Sequence, residues 1–296
     1  MGVTVRRRTS QLDTWDAISG DTRWVDYSHQ FDGDDLVVYL HTFRRTRERA
    51  DQANDLLWWK PSTTVYGVGR GTFAEYAVVR EDRLTHKPAR LSFEEAAVVP
   101  ISGATALQAL TDHGRLESGQ RVLVLGASGG VGSYAVQIAK ALGAEVTGVA
   151  STAKVDLVRS LGADHVVDYT REDFAASGQR YDLILDIAGN PTLRRLRRAL
   201  TPTGTAVIVG GEAGGDLAGG MNRTLRALVL SPFIGQRFAN FINKERGSDL
   251  DRLTAFIDAG QVRPNLDRTY PLEQAPEAMH RLAAGQVRGK VAITNA

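Results

Sequence analysis

The segment Gly126-Ala-Ser-Gly-Gly-Val-Gly132 constrains the fold more than any other part of the chain. It separates a strand-sized apolar run, 121–125, from a stretch in which Val131, Ala135, Ile138 and Leu142 share one helical face. A tight strand-to-helix turn needs a glycine at positive φ, and several glycines at this spacing exceed that need. Missing β-carbons let the backbone approach a pyrophosphate, whose charge then meets the N–H groups at the helix start. The strand before and the helix after give an otherwise weak glycine pattern its weight.

Around this turn the text alternates regularly. Strands are expected at 121–125, 145–150, 165–169, 181–187 and 205–209, with helices at 154–161 and 192–200 between them. The strands are near-continuous Val/Ile/Leu runs, as in a parallel sheet covered on both faces. The fold class is therefore α/β, a Rossmann-type doubly wound parallel sheet. Upstream, a strand is expected at 73–79 and a helix opening at Ser92, where Glu95 three residues on completes a capping box. Downstream come a glycine-rich loop at 210–220, helices at 250–259 and 275–283, and a closing strand at 290–294.

The end of the second strand discriminates between the two nicotinamide cofactors. NADH-binding versions of this turn carry Asp or Glu there, about 20 residues beyond the glycines, to hold the ribose hydroxyls. This chain reads Val149-Ala-Ser151-Thr152-Ala-Lys154, with no acid. Hydroxyls and a lysine suit a 2′-phosphate, which makes NADPH the expected cofactor over NADH. The plain alternative is that Ser151 and Thr152 cap the next helix while Lys154 is solvated. The same turn also spells Gly126-x-Ser128-x-Gly130, the pattern of a hydrolase nucleophile elbow, with Asp186 and His280 following in triad order. That reading leaves Gly129 and Gly132 unexplained and supplies no oxyanion-hole loop.

Composition removes other classes. Cysteine is absent, which excludes disulfides, thiolate zinc sites and a cysteine nucleophile. The six histidines show no ligand spacing, so no zinc is expected. With 36 basic and 34 acidic residues the chain is nearly neutral. The clusters Arg6–Arg8 and Arg44–Arg49 have acids such as Glu48 and Asp51 beside them, and no nucleic-acid partner is expected. The start has no apolar core of a secretory signal, and the apolar runs are too short to span a bilayer. A cytoplasmic enzyme without a membrane partner is the expectation.

The residues Gly71-Thr-Phe-Ala-Glu-Tyr-Ala, Ala96-Ala-Val-Val-Pro100 and Gly103-Ala-Thr105-Ala, followed by the glycine turn, resemble the medium-chain dehydrogenase/reductases. Within them the chain is most similar to the zinc-independent, quinone-oxidoreductase-like branch. Leu161-Gly-Ala-Asp-His-Val-Val-Asp-Tyr169 and Arg288-Gly-Lys-Val-Ala-Ile293 fit the same resemblance, which runs from about Val65 to the C-terminus. It implies NADPH-dependent hydride transfer to a small-molecule quinone, enone or related carbonyl compound, a possible homodimer, and a cleft between a Rossmann domain and a GroES-like β domain. Carried over residue by residue, it implies Thr105 near the nicotinamide and Ser128, Gly129, Gly130 and Val131 along the pyrophosphate. Ser151, Thr152, Lys154 and Tyr169 would surround the adenosine end. Ala188, Gly189 and Asn190, with Val209, Gly210 and Gly211, would form strand-end turns beside the cofactor, and Arg288 and Lys290 would reach phosphates from the returning tail. No catalytic acid is assigned.

Upstream of about Val65 the resemblance stops. Residues 1–62 hold all four tryptophans and many arginines, with one strand-like run at 36–40. A divergent substrate cap, a replacement from elsewhere and a shifted reading frame each fit this text, and the arginine and tryptophan content favours the last. The expected division is an atypical segment 1–62, a remnant of a GroES-like domain at 63–99 and 264–296, and the NAD(P)-binding Rossmann domain at 100–263. A chain of this kind that binds NADPH but has a lost or remade substrate half is the alternative to an active reductase.

Overall fold

The computed structural model describes residues 64–69, 72, 79–209, 235–240 and 243–294. The segment 1–62, the run 36–40, residues 73–78 of an expected strand and the glycine-rich stretch 210–220 lie outside the described residues.

Among the described residues six parallel strands form the main sheet: β3 (Arg121–Leu125), β4 (Glu145–Ala150), β5 (His165–Asp168), β6 (Tyr181–Asp186), β7 (Leu200–Ile208) and β8 (Arg237–Asn240). Their order across the sheet is β5-β4-β3-β6-β7-β8, so the chain winds outward in one direction from β3 and then in the other from β6. Successive side chains of a strand point to opposite faces, and the core divides accordingly. Val122, Val124, Leu183 and Leu185 bury into one layer, while Leu123, Leu125 and Ile184 bury into the other. Along β3, β4 and β6 almost no residue reaches water on either face, which is why these strands lack a polar alternation.

The first layer is built from α2 (Pro100–Gln108), α3 (Gly130–Ala141) and α6 (Gly247–Asp258). The second contains α5 (Leu193–Ala199), whose Leu196 and Ala199 are fully buried. Local signals set the ends. Ser92 and Glu95 form the expected reciprocal capping box before α1 (Phe93–Ala97). Thr192 accepts from the Arg195 N–H to cap α5. Gly143, at φ 84°, stops the chain after α3. The helix expected at 154–161 is α4 (Val155–Ser160), led in by a 3₁₀ turn at Thr152–Lys154.

Two smaller sheets flank this body. β1 (Val65–Gly67) pairs antiparallel with β2 (Leu84–His86), and β9 (Leu266–Pro271) pairs parallel with β10 (Lys290–Thr294). The Tyr66 hydroxyl donates to the Leu250 carbonyl at 3.0 Å and meets the Thr254 hydroxyl at 2.9 Å, which ties β1 to α6. Burial pushes that phenol well above its ordinary value, so it stays a neutral donor at all physiological pH. Helix α7 (Ala275–Ala283) packs Ala275 and Ala278 into a third apolar cluster with Val291 and Ile293 of β10.

One of the two closest backbone approaches among the described glycines lies under the glycine turn. A β-carbon on Gly132 would fall 2.1 Å from the Gly126 carbonyl oxygen and 2.8 Å from the Ala127 α-carbon, both backbone. One on Gly129 would meet only that carbonyl oxygen, at 3.4 Å. Gly132→Ala is therefore expected to destabilise the protein by about 1–3 kcal/mol, as overpacking does. Gly129→Ala should stay within about 0.5 kcal/mol of the parent. Urea unfolding midpoints of the two variants check this; equal midpoints would contradict the packing argument.

Candidate cofactor site at the switch point

The carboxyl ends of β3 and β6 are neighbours, and the chain leaves them toward opposite flanks of the sheet. In open α/β sheets the crevice outside such a switch point is where ligands bind. Gly126, at φ 80°, turns the chain out of β3. Its missing side chain also admits Ala188, whose β-carbon would lie 2.8 Å from one on Gly126. The turn after β6 is thereby pressed against the glycine turn after β3.

Helix α3 starts at Gly130 with Gly129 as N-cap, and no side chain caps it. The first N–H groups of a helix have no intrahelical partner, so this end presents donors and the positive pole of a twelve-residue helix to the crevice. Ser128 and Val131 are buried beside it. The residues fit a dinucleotide's pyrophosphate on structural grounds: a β-carbon on Gly130 would press on the Lys290 side chain at 2.7 Å and lie 3.2 Å from the Ser102 hydroxyl. That hydroxyl is fully buried and has no hydrogen-bond partner.

The other expected residues fall around the same edge. Thr105 is buried on α2, which packs against α3. Gly189 and Asn190 both take positive φ, 91° and 40°, in the turn that begins at Ala188. Such a conformation is uncommon for a residue with a side chain, and asparagine tolerates it better than most. The Val209 N–H donates to the Asp186 carbonyl at 3.0 Å, which brings the end of β7 beside the end of β6. Gly210 and Gly211 lie outside the described residues.

At the end of β4, Ser151 makes no capping hydrogen bond. Thr152 is committed elsewhere: its hydroxyl donates to Asp168 at 2.5 Å and meets Thr170 at 2.9 Å. Asp168 also accepts from the Thr170 N–H and hydroxyl, and Arg171 lies 3.5 Å away. Hydrogen bonds from Thr152 and then Thr170 hold its carboxyl below the usual range, so it is ionised at neutral pH. The sequence window 149–154 contains no acid, yet the sheet supplies one, because Ala150 and Asp168 are register partners across β4 and β5. Sequence reasoning missed this residue, and strand pairing is the signal that finds it.

The tail arrives at the same loop. The Lys154 ammonium donates to the Val287 carbonyl at 3.0 Å, and the Arg288 guanidinium donates to the Ala153 carbonyl at 2.8 Å. Two cations that are 134 positions apart in sequence are thus tied to one loop, beside Ser151. Tyr169 adjoins them through its N–H, which bonds the Ala150 carbonyl, and the residue is 63% exposed. Lys290 is 3% exposed and lies across Gly130.

The hydrolase pattern finds no support. Ser128 is only 7% exposed, and no hydrogen bond links it to His280, which sits on α7. Among the described residues no three His, Cys, Asp or Glu side chains converge as metal ligands, and none of the described helices is long and apolar enough to cross a membrane. An open concavity of about 600 Å³ bordered by Arg194, Arg197, Arg198 and Gln236 lies where α5 ends and β8 begins. That is the opposite end of the strands from the switch point.

Comparison with known proteins agrees with this geometry. The family profile described as zinc-binding dehydrogenase matches residues 161–293. The mouse NAD(P)H oxidoreductase RTN4IP1, mitochondrial, is 35% identical over 263 residues, covering 81% of this chain and 66% of the relative. The Arabidopsis thaliana chloroplast envelope quinone oxidoreductase homolog is 30% identical over 236 residues, covering 76% of this chain and 69% of the relative. The solved quinone oxidoreductase from Coxiella burnetii superposes with a TM-score of 0.70 at 27% identity, covering 82% of this chain and 75% of that one. The chain spans about two thirds of the length of the curated oxidoreductases it matches first.

These names also correct the cytoplasmic expectation. The relatives from mouse, zebrafish, cattle and human are all named mitochondrial, which points away from the cytoplasm. The expectation rested on a missing secretory core, and that speaks only to secretion. Mitochondrial addresses are amphipathic and arginine-rich rather than apolar. Fold, switch-point geometry and relatives together assign the chain to the medium-chain dehydrogenase/reductase superfamily, an oxidoreductase family, within its quinone-oxidoreductase-like branch.

Proposed function

We propose that the chain is an NADPH-dependent, zinc-independent reductase of quinones, enones or related carbonyl compounds. The observation that carries this reading is the pair Lys154 and Arg288, held to one loop beside Ser151 at the end of β4. An ammonium has three donors and the Val287 carbonyl uses one, so Lys154 keeps two for a 2′-phosphate. A guanidinium offers five in a planar fork, of which the Ala153 carbonyl takes one. Asp168 does not oppose them as a ribose-binding acid would, because Thr152 and Thr170 occupy it. The absence of cysteine supports chemistry without a thiolate-bound zinc.

In this reading bound NADPH supplies the hydride, and the protein binds, orients and excludes water. The start of α3 and Lys290 neutralise the pyrophosphate. Thr105 and the turn Ala188–Asn190, with Val209, would line the nicotinamide end. The acceptor would enter between the Rossmann domain, 100–263, and a GroES-like half to which 63–99 and 264–296 belong. A second reading has its own support: the chain spans about two thirds of its first relatives, and residues 1–62 do not resemble the family. It is a relative that binds NADPH without turning over an acceptor. A homodimer is the proposed assembly in either case.

NADPH oxidation with a simple quinone, followed by absorbance, tests the first reading. Turnover slower with NADH is expected; tight NADPH binding with no turnover of any quinone or enone would favour the second. Lys154→Ala is expected to weaken NADPH binding roughly ten- to a hundredfold, the worth of a charge-assisted contact. It should leave NADH binding unchanged, and titration of nicotinamide fluorescence reads both.

Asp168 makes a pH-dependent contribution to the loop that carries Lys154. Its folded-state value is depressed, so its stabilisation is present above the ordinary value of 3.8 and is lost as pH falls through the lower folded value. Asp168→Asn should therefore lower the urea midpoint at neutral pH and flatten the loss of stability below about pH 4. Unfolding curves collected from pH 3 to 7 check this, and a variant curve parallel to the parent's would contradict it.

A further inference from the structure

The Ser102 hydroxyl makes no hydrogen bond in the fold. It is fully buried, it lies in the first turn of α2, and it is among the few buried side-chain atoms without a hydrogen-bond partner. Buried hydroxyls are almost always bonded, and an orphan asks for an explanation. Alanine would fill the same slot between the helices without burying an unmet donor, so packing alone does not account for serine.

Its surroundings describe what would satisfy it. The Ser102 oxygen lies 3.2 Å from the point where a β-carbon on Gly130 would stand, and the Lys290 ammonium lies 3.3 Å from that same point. Gly130 is the first residue of α3, and no side chain caps that helix. The first turns of α2 and α3 therefore meet here, each contributing the positive end of a helix, with a cation beside them. A hydroxyl, a helix start and an ammonium around a glycine are the groups that an anionic oxygen would bond. The Lys290 stem lies directly on Gly130, its Cδ 2.7 Å from the same point, and covers it.

We propose that Ser102 is a positioning residue for the dinucleotide's pyrophosphate: its hydroxyl donates to a phosphate oxygen held at the start of α3, reached when Lys290 swings aside. The inference rests on the cofactor reading above and adds to it a donor that the glycine turn does not contain. It also makes a statement about the free protein. If serine is kept for a ligand, it carries a cost in stability when the ligand is absent and repays it on binding.

The test compares Ser102→Ala with the parent in two states. Without cofactor the variant is expected to melt at the same temperature or about 1–4 °C higher, since it removes an unmet donor. NADPH and NADH should both bind about tenfold more weakly, because the pyrophosphate is common to them. Lys154→Ala, in contrast, should separate the two cofactors. Gly130→Ala serves as a second variant: its β-carbon meets the Lys290 and Ser102 side chains rather than backbone, so it should fold and bind both cofactors poorly. Lower melting of Ser102→Ala, or unchanged affinity for both cofactors, overturns the inference and leaves the cofactor reading standing. A parent protein that binds neither cofactor overturns both.

Discussion

Everything at the switch point depends on how near α3 comes to the end of β3. Gly132 lies so close to the Gly126 carbonyl that no β-carbon fits between them, and that contact sets the angle at which the helix leaves the sheet. With the angle fixed, the uncapped helix start faces the crevice between β3 and β6 rather than the body of the protein. Ala188 then packs against Gly126 and draws the neighbouring turn into line. One backbone approach thus orders two strand ends, a helix pole and the turn that carries Asn190.

The main sheet was legible in the sequence because its strands are buried on both faces and read as apolar runs. Four of the six, β3 to β6, lie within a residue or so of their expected bounds. Strand β7 begins five residues earlier than expected, since Pro202 and Gly204 disguise its first half. Strand β8 escaped notice because Arg237-Phe-Ala-Asn is short and half polar. Helix α2 was missed for a different reason. From Ser102 to Gln108 every residue is buried, so the helix has no solvent face and shows no amphipathic period.

The candidate site divides the same way. The glycine turn is local, and its spacing announces it. Asp168 and Ser102 are not local. The first reaches Thr152 through strand register, and the second reaches Gly130 through the packing of α2 on α3. Neither relation leaves a mark in a linear text. The pairing of Lys154 and Arg288 is intermediate: each residue was suspected alone, and only the fold brings them onto one loop.

That last arrangement orders events in time as well as in space. Val287 and Arg288 come after α7, while the loop they secure follows β4, the second strand of the main sheet in chain order. A chain emerging from the ribosome exposes β3, α3 and β4 long before the tail exists. The layers of the main sheet can therefore collapse on their own apolar faces while the loop after β4 is still unsecured. The loop after β4 is therefore secured only once Val287 and Arg288 have been made.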